Sequence, residues 1–561
     1  MDTLSWLGHV TLSPSHVVPL AVFLLAFYLA AFYRRRAGAY TNIPPGPKPW
    51  PVVGNFGGFL VPPALRGRFG QRRDHVSVME ALTSQADLYG NIYSLFVGSQ
   101  LAVVLNGYEV VRDALSNHPD VFSDRPDVPS ISILTKRRGI VFAPYGPVWR
   151  KQRKFCHTTL RSFGLGKLSL EPCIQRGLVT IKAELLRLNG ESGGTGVDPA
   201  PLISNAVSNV VCSLILGQRF HHGDPEFRAI LGLMARGLEI CINSAAILIN
   251  VCSLLYYLPF GVFKELRQVE RDITVFLKRI IANHRETLDP ENPRDLADMY
   301  LIEMLARRAA GEEDSSFTED YLFYIIGDLF IAGTDTTTNS VLWTLLYMAL
   351  YPDVQDKVQA EIDKVVGRRR LPSVTDRGSL PFTEATIMEV QRLAVVVPLS
   401  VPHMASETTE FRGYTIPKGT VIFPNLYSVH RDPAVWDEPD SFNPTRFLDD
   451  EGKLLKKEFF IPFGIGTIPP PCLRESFESF QSASRDVTVP PPPGRRVCMG
   501  EQLAKMELFL TVTGLLQSFR FRLPDGTPPP SLQGRFGLTM APCPFRVCVN
   551  DRSEDRGTHV I

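Results

Sequence analysis

The sequence predicts a mainly α fold with a minor β part: one large domain behind an N-terminal membrane anchor. Three observations predict it. Apolar residues recur at helical spacing over 146–162, 200–217, 262–285, 319–350 and 500–518. Strand-like runs are few and short, at Tyr93–Val97, Leu101–Leu105 and Thr420–Phe423. From Thr3 to Tyr33 there is no Asp, Glu, Lys or Arg, and the apolar run Val17–Tyr33 ends at Arg34, Arg35 and Arg36.

Residues 1–41 are read as that anchor with its basic stop-transfer. The run approaches the roughly 20 residues that cross a bilayer. A cleaved signal peptide is the alternative, because Ala37-Gly38-Ala39 resembles a cleavage triplet. Signal peptides carry their basic residues before the apolar run, whereas here they follow it, which keeps the bulk of the chain cytosolic. Residues 42–51 hold Pro44, Pro45, Pro47, Pro49 and Pro51, whose fixed φ and missing donors predict a stiff hinge. Residues 52–561 are then one domain, with no internal repeat and no second linker apart from an interruption at 467–494.

The composition bounds the function. With 44% hydrophobic and 21% charged residues, the 561-residue chain has the make-up of a large folded enzyme. A net charge of +1 argues against nucleic acid as a partner, so any charge-steered partner must use a local patch. Nine cysteines are scattered singly, without CxxC pairs, which fits a reducing compartment and leaves room for one with special work.

That cysteine is found by removing residues 467–494. What remains of Phe463 to Gly500 reads Phe-Gly-Ile-Gly-Arg-Arg-Val-Cys-Met-Gly, that is, Phe-x-x-Gly-x-Arg-x-Cys-x-Gly. The reassembled stretch resembles the haem-ligand signature of the cytochrome P450 monooxygenases. The resemblance implies a haem b cofactor with Cys498 as axial thiolate and metal ligand, Arg496 on a haem propionate and Phe463 packed near the sulfur. A thiolate pushes electron density onto iron and favours O–O cleavage. A helix expected to begin near Glu501 turns its positive end toward Cys498, which favours the ionised sulfur. A buried structural thiol is the alternative for a lone cysteine.

Four further constellations stand beside it. Ala332-Gly333-Thr334-Asp335-Thr336-Thr337 lies inside a long helical pattern that Thr318 is placed to cap. Polar residues beside a glycine in an apolar helix point to a locally opened helix lining a cavity, with Ser/Thr back-bonding as the alternative. The resemblance makes Thr336 and Asp335 the oxygen-activating and proton-relaying pair. Glu389 and Arg392 sit at i and i+3, and the resemblance joins them to Arg446 in a structural cluster. Trp149 and Arg153 share a helix face at i and i+4 and, by resemblance, hold a haem propionate, with His403 as a second donor. Arg150, Lys151 and Lys154 form another face, either a dock for an acidic electron donor or a solvated surface.

The resemblance runs from Pro44 to Phe545. Segments such as RGLEICINS (236–244) and FYIIGDLFIAGTDTTTNS (323–340) are similar to subfamily U of the vertebrate family-two enzymes. That branch implies terminal or near-terminal hydroxylation of long-chain fatty acids, with O2 and electrons from NADPH through cytochrome P450 reductase, and cytochrome b5 as a further partner. It implies the endoplasmic-reticulum membrane with the lipid bilayer as partner, and leaves a mitochondrial inner-membrane pool open. The apolar stretches Ile325–Ala332 and Val395–Val401 suit a long hydrocarbon, and equally xenobiotics or sterols. A catalytically silent haem or lipid binder is the rival if the interruption disrupts the loop.

The interruption holds seven prolines in two clusters around a Ser-rich centre, so it has little to bury. Closing such a loop costs on the order of 3 kcal/mol beyond a constant, which a large domain can bear. Its open frame and the glycines at both ends, Gly466 and Gly494, are expected of a segment foreign to the working enzyme, most simply an unspliced intron. Sequencing the transcript decides the point: messages that all carry the segment refute it.

Overall fold

The computed structural model describes residues 41–50, 54–55, 77–221, 223–242, 248–250, 252–312, 316–465 and 495–552. The whole interruption, 467–494, and all of the expected anchor but residue 41 lie outside them. No helix among the described residues is long and apolar enough to cross a membrane.

Ten long helices dominate: α1 Pro147–Ser162, α2 Glu171–Glu191, α3 Ala200–Ile215, α4 Pro225–Ile242, α5 Gly261–Glu286, α6 Leu296–Ala309, α7 Glu319–Leu350, α8 Pro352–Val365, α9 Pro381–Ala394 and α10 Glu501–Ser518. The five helices expected from periodicity are present, with ends within two residues of those read from the sequence. Proline at the first turn starts α1, α8 and α9, where its missing donor costs nothing. Thr318 caps α7 as expected, its hydroxyl accepting from Tyr321 N at 3.2 Å.

α7 runs through the middle of the core. Its buried residues include Ile325, Ile326, Phe330, Val341, Leu345 and Leu346, and they join the apolar faces of α2, α3, α8 and α10 in one cluster. Gly333 lets α3 approach, because a Cβ there would sit 2.8 Å from Val211 Cγ2. The expectation of a locally opened helix is therefore corrected. α7 is continuous from Glu319 to Leu350, and the glycine serves packing.

The minor sheet comprises β1 Ile92–Val97, β2 Gln100–Leu105, β3 His403–Met404 and β4 Val421–Pro424, in the order β1-β2-β4-β3. β1 and β2 form an antiparallel hairpin, β2 runs parallel to β4, and β3 runs antiparallel to β4 with His403 opposite Ile422. The proline-rich segment is no free spacer. Pro45 O accepts from Ser94 N at 2.7 Å, and Gly54 bridges to Val97, so the chain lies along the edge of β1 before the domain begins.

Candidate active site

Cys498 sits two residues before the N-cap of α10. Its N–H donates to Phe463 O at 3.2 Å, so the two halves of the interrupted loop meet as the reassembled motif requires. Phe463 is half-buried, and Lys505 Nζ lies 5.4 Å from its ring centre. Cys498 is itself exposed, yet enough protein surrounds it that burial is the leading influence on its thiol. That burial raises the pKa, Glu501 adds to the rise, and a Gly500 backbone hydrogen bond, Arg153 and Lys505 oppose it. The net direction is upward. The Gly500 amide at the start of α10 acts in the lowering direction expected of a helix N-terminus, against the larger effect of burial.

Around it stand cations with unusual partners. Arg496 donates to the carbonyls of Ser123 (2.9 Å), Ile140 (3.2 Å) and Ala143 (2.7 Å), and its guanidinium lies 4.0 Å from the Trp149 ring centre. Arg153 donates to Val497 O at 2.5 Å and stacks at 5.4 Å on the same ring. A third arginine, Arg125, is buried and donates to Val141 O, Val401 O and Pro402 O at 2.8–2.9 Å. Among the described residues no carboxylate lies within ion-pair distance of any of the three. Burial pushes all three guanidinium pKa values down, and neighbouring arginine charges add to this for Arg125 and for Arg496, which falls to about 9.

Arg125 was not singled out from the sequence, because nothing near it in the chain marks it. Its place comes from Met404 N donating to Asp124 O at 2.9 Å, which ties the 124–125 segment to β3, and from carbonyls some 276 residues away. One buried and two half-buried cations paired only with neutral carbonyls want an anion with several acceptor oxygens.

His403 is buried, with Nδ1 2.6 Å from Phe122 O. A carbonyl only accepts, so Nδ1 carries the hydrogen and Nε2 of the neutral ring is an acceptor. Burial and the charge of Arg125 hold its pKa well below the ordinary value. It donates to a carboxylate only once that carboxylate's charge favours the imidazolium. The Trp149 indole N–H is already given to Ile140 O at 2.9 Å. That carbonyl is thus shared by Trp149 and Arg496.

On α7, Ala332 is exposed and Thr336 only half-buried, in the middle of a helix that otherwise belongs to the core. Both lie on one face, four residues apart. Thr336 Oγ1 donates back to Ala332 O at 2.7 Å, the back-bonded alternative weighed from the sequence, which leaves its lone pairs free to accept. Asp335 accepts a short hydrogen bond from Thr539. Burial raises its pKa, while Thr539 and Asn339 pull it back.

Glu389, Arg392 and Arg446 form the expected cluster. Glu389 Oε2 accepts from Arg392 Nε at 2.7 Å. Its Oε1 accepts from Arg446 Nε, Arg392 and Asn443 N, each at 2.9 Å. The remaining guanidinium hydrogens go to backbone carbonyls, among them His430 O at 2.7 Å and Pro439 O at 2.6 Å. Glu389 and Arg392 are fully buried, and the one carboxylate pairs with both guanidiniums. Arg150, Lys151 and Lys154 are all exposed on α1, on the side away from the arginine cluster.

The comparisons with known proteins agree with this geometry. The family model described as Cytochrome P450 matches residues 44–467 and 489–549. The chain belongs to the cytochrome P450 family. It is 55% identical to Cytochrome P450 2U1 of Homo sapiens, over 97% of this chain and 96% of that protein. It is 56% identical to Cytochrome P450 2U1 of Mus musculus, over 95% of each, and 37% identical to Cytochrome P450 2D3 of Rattus norvegicus. This P450 monooxygenase is accordingly similar to subfamily U of vertebrate family two, and members of the family use haem, O2 and NADPH-derived electrons delivered through a redox partner. The donor set fits haem: an exposed cysteine sulfur, and beside it three arginines whose guanidiniums among the described residues have only backbone carbonyls as hydrogen-bond partners. The family match omits 468–488, inside the interrupted stretch.

Proposed function

We propose that this P450 hydroxylates long-chain fatty acids at terminal or near-terminal C–H bonds. The observation that carries the reading is the near full-length similarity to the 2U1 enzymes, together with the largely apolar make-up of the α7 segment Ile325–Ala332. An unbranched chain needs apolar walls and few polar anchors.

In this reading Cys498 would ligate the iron, while Arg125, Arg153 and Arg496 would hold the propionates, with His403 joining as imidazolium and Trp149 packing between Arg153 and Arg496. When bound, haem supplies the binding and two-electron activation of O2. The protein does the rest. Thr336 offers acceptor lone pairs and a hydroxyl, Asp335, whose pKa burial raises, would pass protons toward it, and apolar residues would exclude bulk water from the C–H bond. Glu389, Arg392 and Arg446 fix the frame around the loop of Cys498. An endoplasmic-reticulum anchor in residues 1–41 and docking of NADPH-cytochrome P450 reductase on Arg150, Lys151 and Lys154 complete the proposal.

The experiment is turnover of the full chain with reductase, NADPH and a saturated long-chain fatty acid. Hydroxylated acid is expected. Product from sterols or xenobiotics with none from fatty acids overturns the substrate. The split family match favours one second reading: if residues 467–494 block the loop, a thiolate-haem spectrum appears without any product.

A further inference from the structure

We infer that Asp328 is a positioning residue for the haem cradle: a latch by which the oxygen-side helix α7 sets the backbone that Arg125, Arg496 and Trp149 lean on. The inference rests on the arginine cradle proposed above and goes beyond it, since Asp328 touches none of the cradle side chains.

The chain of contacts is short. Asp328 Oδ2 accepts from Ile140 N at 2.7 Å and from Val141 N at 2.8 Å, two consecutive amides of the loop before α1. The carbonyls of the same two residues are the cradle's acceptors. Ile140 O takes Trp149 Nε1 and an Arg496 nitrogen, and Val141 O takes Arg125 Nε. One carboxylate oxygen on α7 thus holds, through Val141 N, the peptide unit whose carbonyl Ile140 O takes Trp149 and Arg496, and it anchors the residue whose own carbonyl, Val141 O, takes Arg125.

The loop is shaped for the latch. Gly139 has φ +85°, in the left-handed region that favours glycine, and a Cβ there would lie 2.3 Å from Asp328 Oδ2 and 3.2 Å from Tyr324 O. The glycine lets the strand of backbone come down onto the carboxylate. Asp328 lies one and two turns before Ala332 and Thr336 on the same face of α7, so substrate and oxygen meet the helix that holds the cradle. Burial pushes its pKa up to about 6 against the two amide bonds, which still favour the carboxylate near neutral pH. A charged acceptor makes stronger bonds to amides than a neutral one.

The test uses the purified holoprotein and follows transfer of haem to excess apomyoglobin, together with the ferrous carbon monoxide spectrum. Asp328→Ala is expected to speed haem loss by about tenfold or more, the scale on which outer partners of metal-site ligands act, and to convert part of the thiolate-type band. Asp328→Asn keeps an oxygen that accepts from both amides and should recover most of the retention. Gly139→Ala should reproduce the Ala variant's loss, and with Asp328→Asn it carries the test if Asp328→Ala does not fold. Arg496→Gln reports on the cradle itself. If Arg496→Gln loses haem while Asp328→Ala and Gly139→Ala hold it like the parent, the latch is refuted and the cradle stands. If Arg496→Gln also holds haem, the cradle reading falls and the latch with it.

Discussion

At the scale of single residues, the chemistry is set by how burial and partners compete. Cys498 is pushed up by burial, so its ionised form depends on what binds it as well as on the Gly500 amide and the Arg153 and Lys505 charges. Cys498→Ala is expected to abolish both the thiolate-type carbon monoxide band and product formation; persistence of either sinks the ligand assignment. Glu389→Gln leaves the buried Arg392 and the half-buried Arg446 without their shared carboxylate. A loss of about 3–5 kcal/mol is expected, as when one partner of a buried pair is removed, read as a fall in the denaturation midpoint of the holoprotein. His284 offers a pH test. Nδ1 lies 2.9 Å from Ile280 O, and Nε2 lies 3.1 Å from Leu216 O and 3.0 Å from Asp295 Oδ2, so both nitrogens face acceptors. Burial opposes the charge, but the Asp295 hydrogen bond and charge outweigh it, helped by Asp298, and the folded pKa lies above the ordinary value. Because it is raised, the stabilisation is complete below the unfolded pKa of roughly 6.5 and fades as pH climbs through the folded value. The difference in unfolding midpoint between the parent and His284→Gln should therefore shrink on going from acidic to alkaline buffer. A constant difference would show that the ring is neutral throughout.

At the scale of elements, α7 shows what the sequence can and cannot reveal. Its cap, its length and its register were legible because Thr318 and a long apolar run are local signals. The purpose of Gly333 was not, because Val211 approaches from a helix more than a hundred residues earlier. The same distinction separates Glu389 and Arg392, adjacent turns of one helix, from Arg125 and Asp328, whose partners are backbone groups brought together only by the fold. Backbone acceptors carry no residue-type signature, so no motif marks them. Gly333→Ala decides between propensity and packing. Helix preference favours alanine by about 1 kcal/mol, whereas overpacking a well-filled core costs about 1–3 kcal/mol. With Val211 buried and stiff, the variant should be destabilised, and Val211→Ala added to it should restore much of the loss. A stabilised single variant would show that α3 yields.

At the scale of the whole molecule, the described parts of the Cys498 loop close on each other although 29 residues, 466–494, separate the described ends. Phe463 and Cys498 are joined by a hydrogen bond. That contact predicts the outcome of deleting 467–494: the shortened chain and the full one should give equal thiolate-type carbon monoxide bands, and the shortened one should accept electrons at least as fast. A weaker band from the shortened chain would show that the segment supports the loop.

The attachment of the N-terminal segment along the sheet carries a mechanical consequence. Asn42 O accepts from Thr415 N at 2.8 Å, Pro45 O accepts from Ser94 N, and Asn55 exchanges hydrogen bonds with Phe96. Traction on the leading end of the chain would load these rungs sideways and together, as a zip pulled along its length, so the catalytic body would turn with its tether like a rudder on its post rather than swing from it like a buoy.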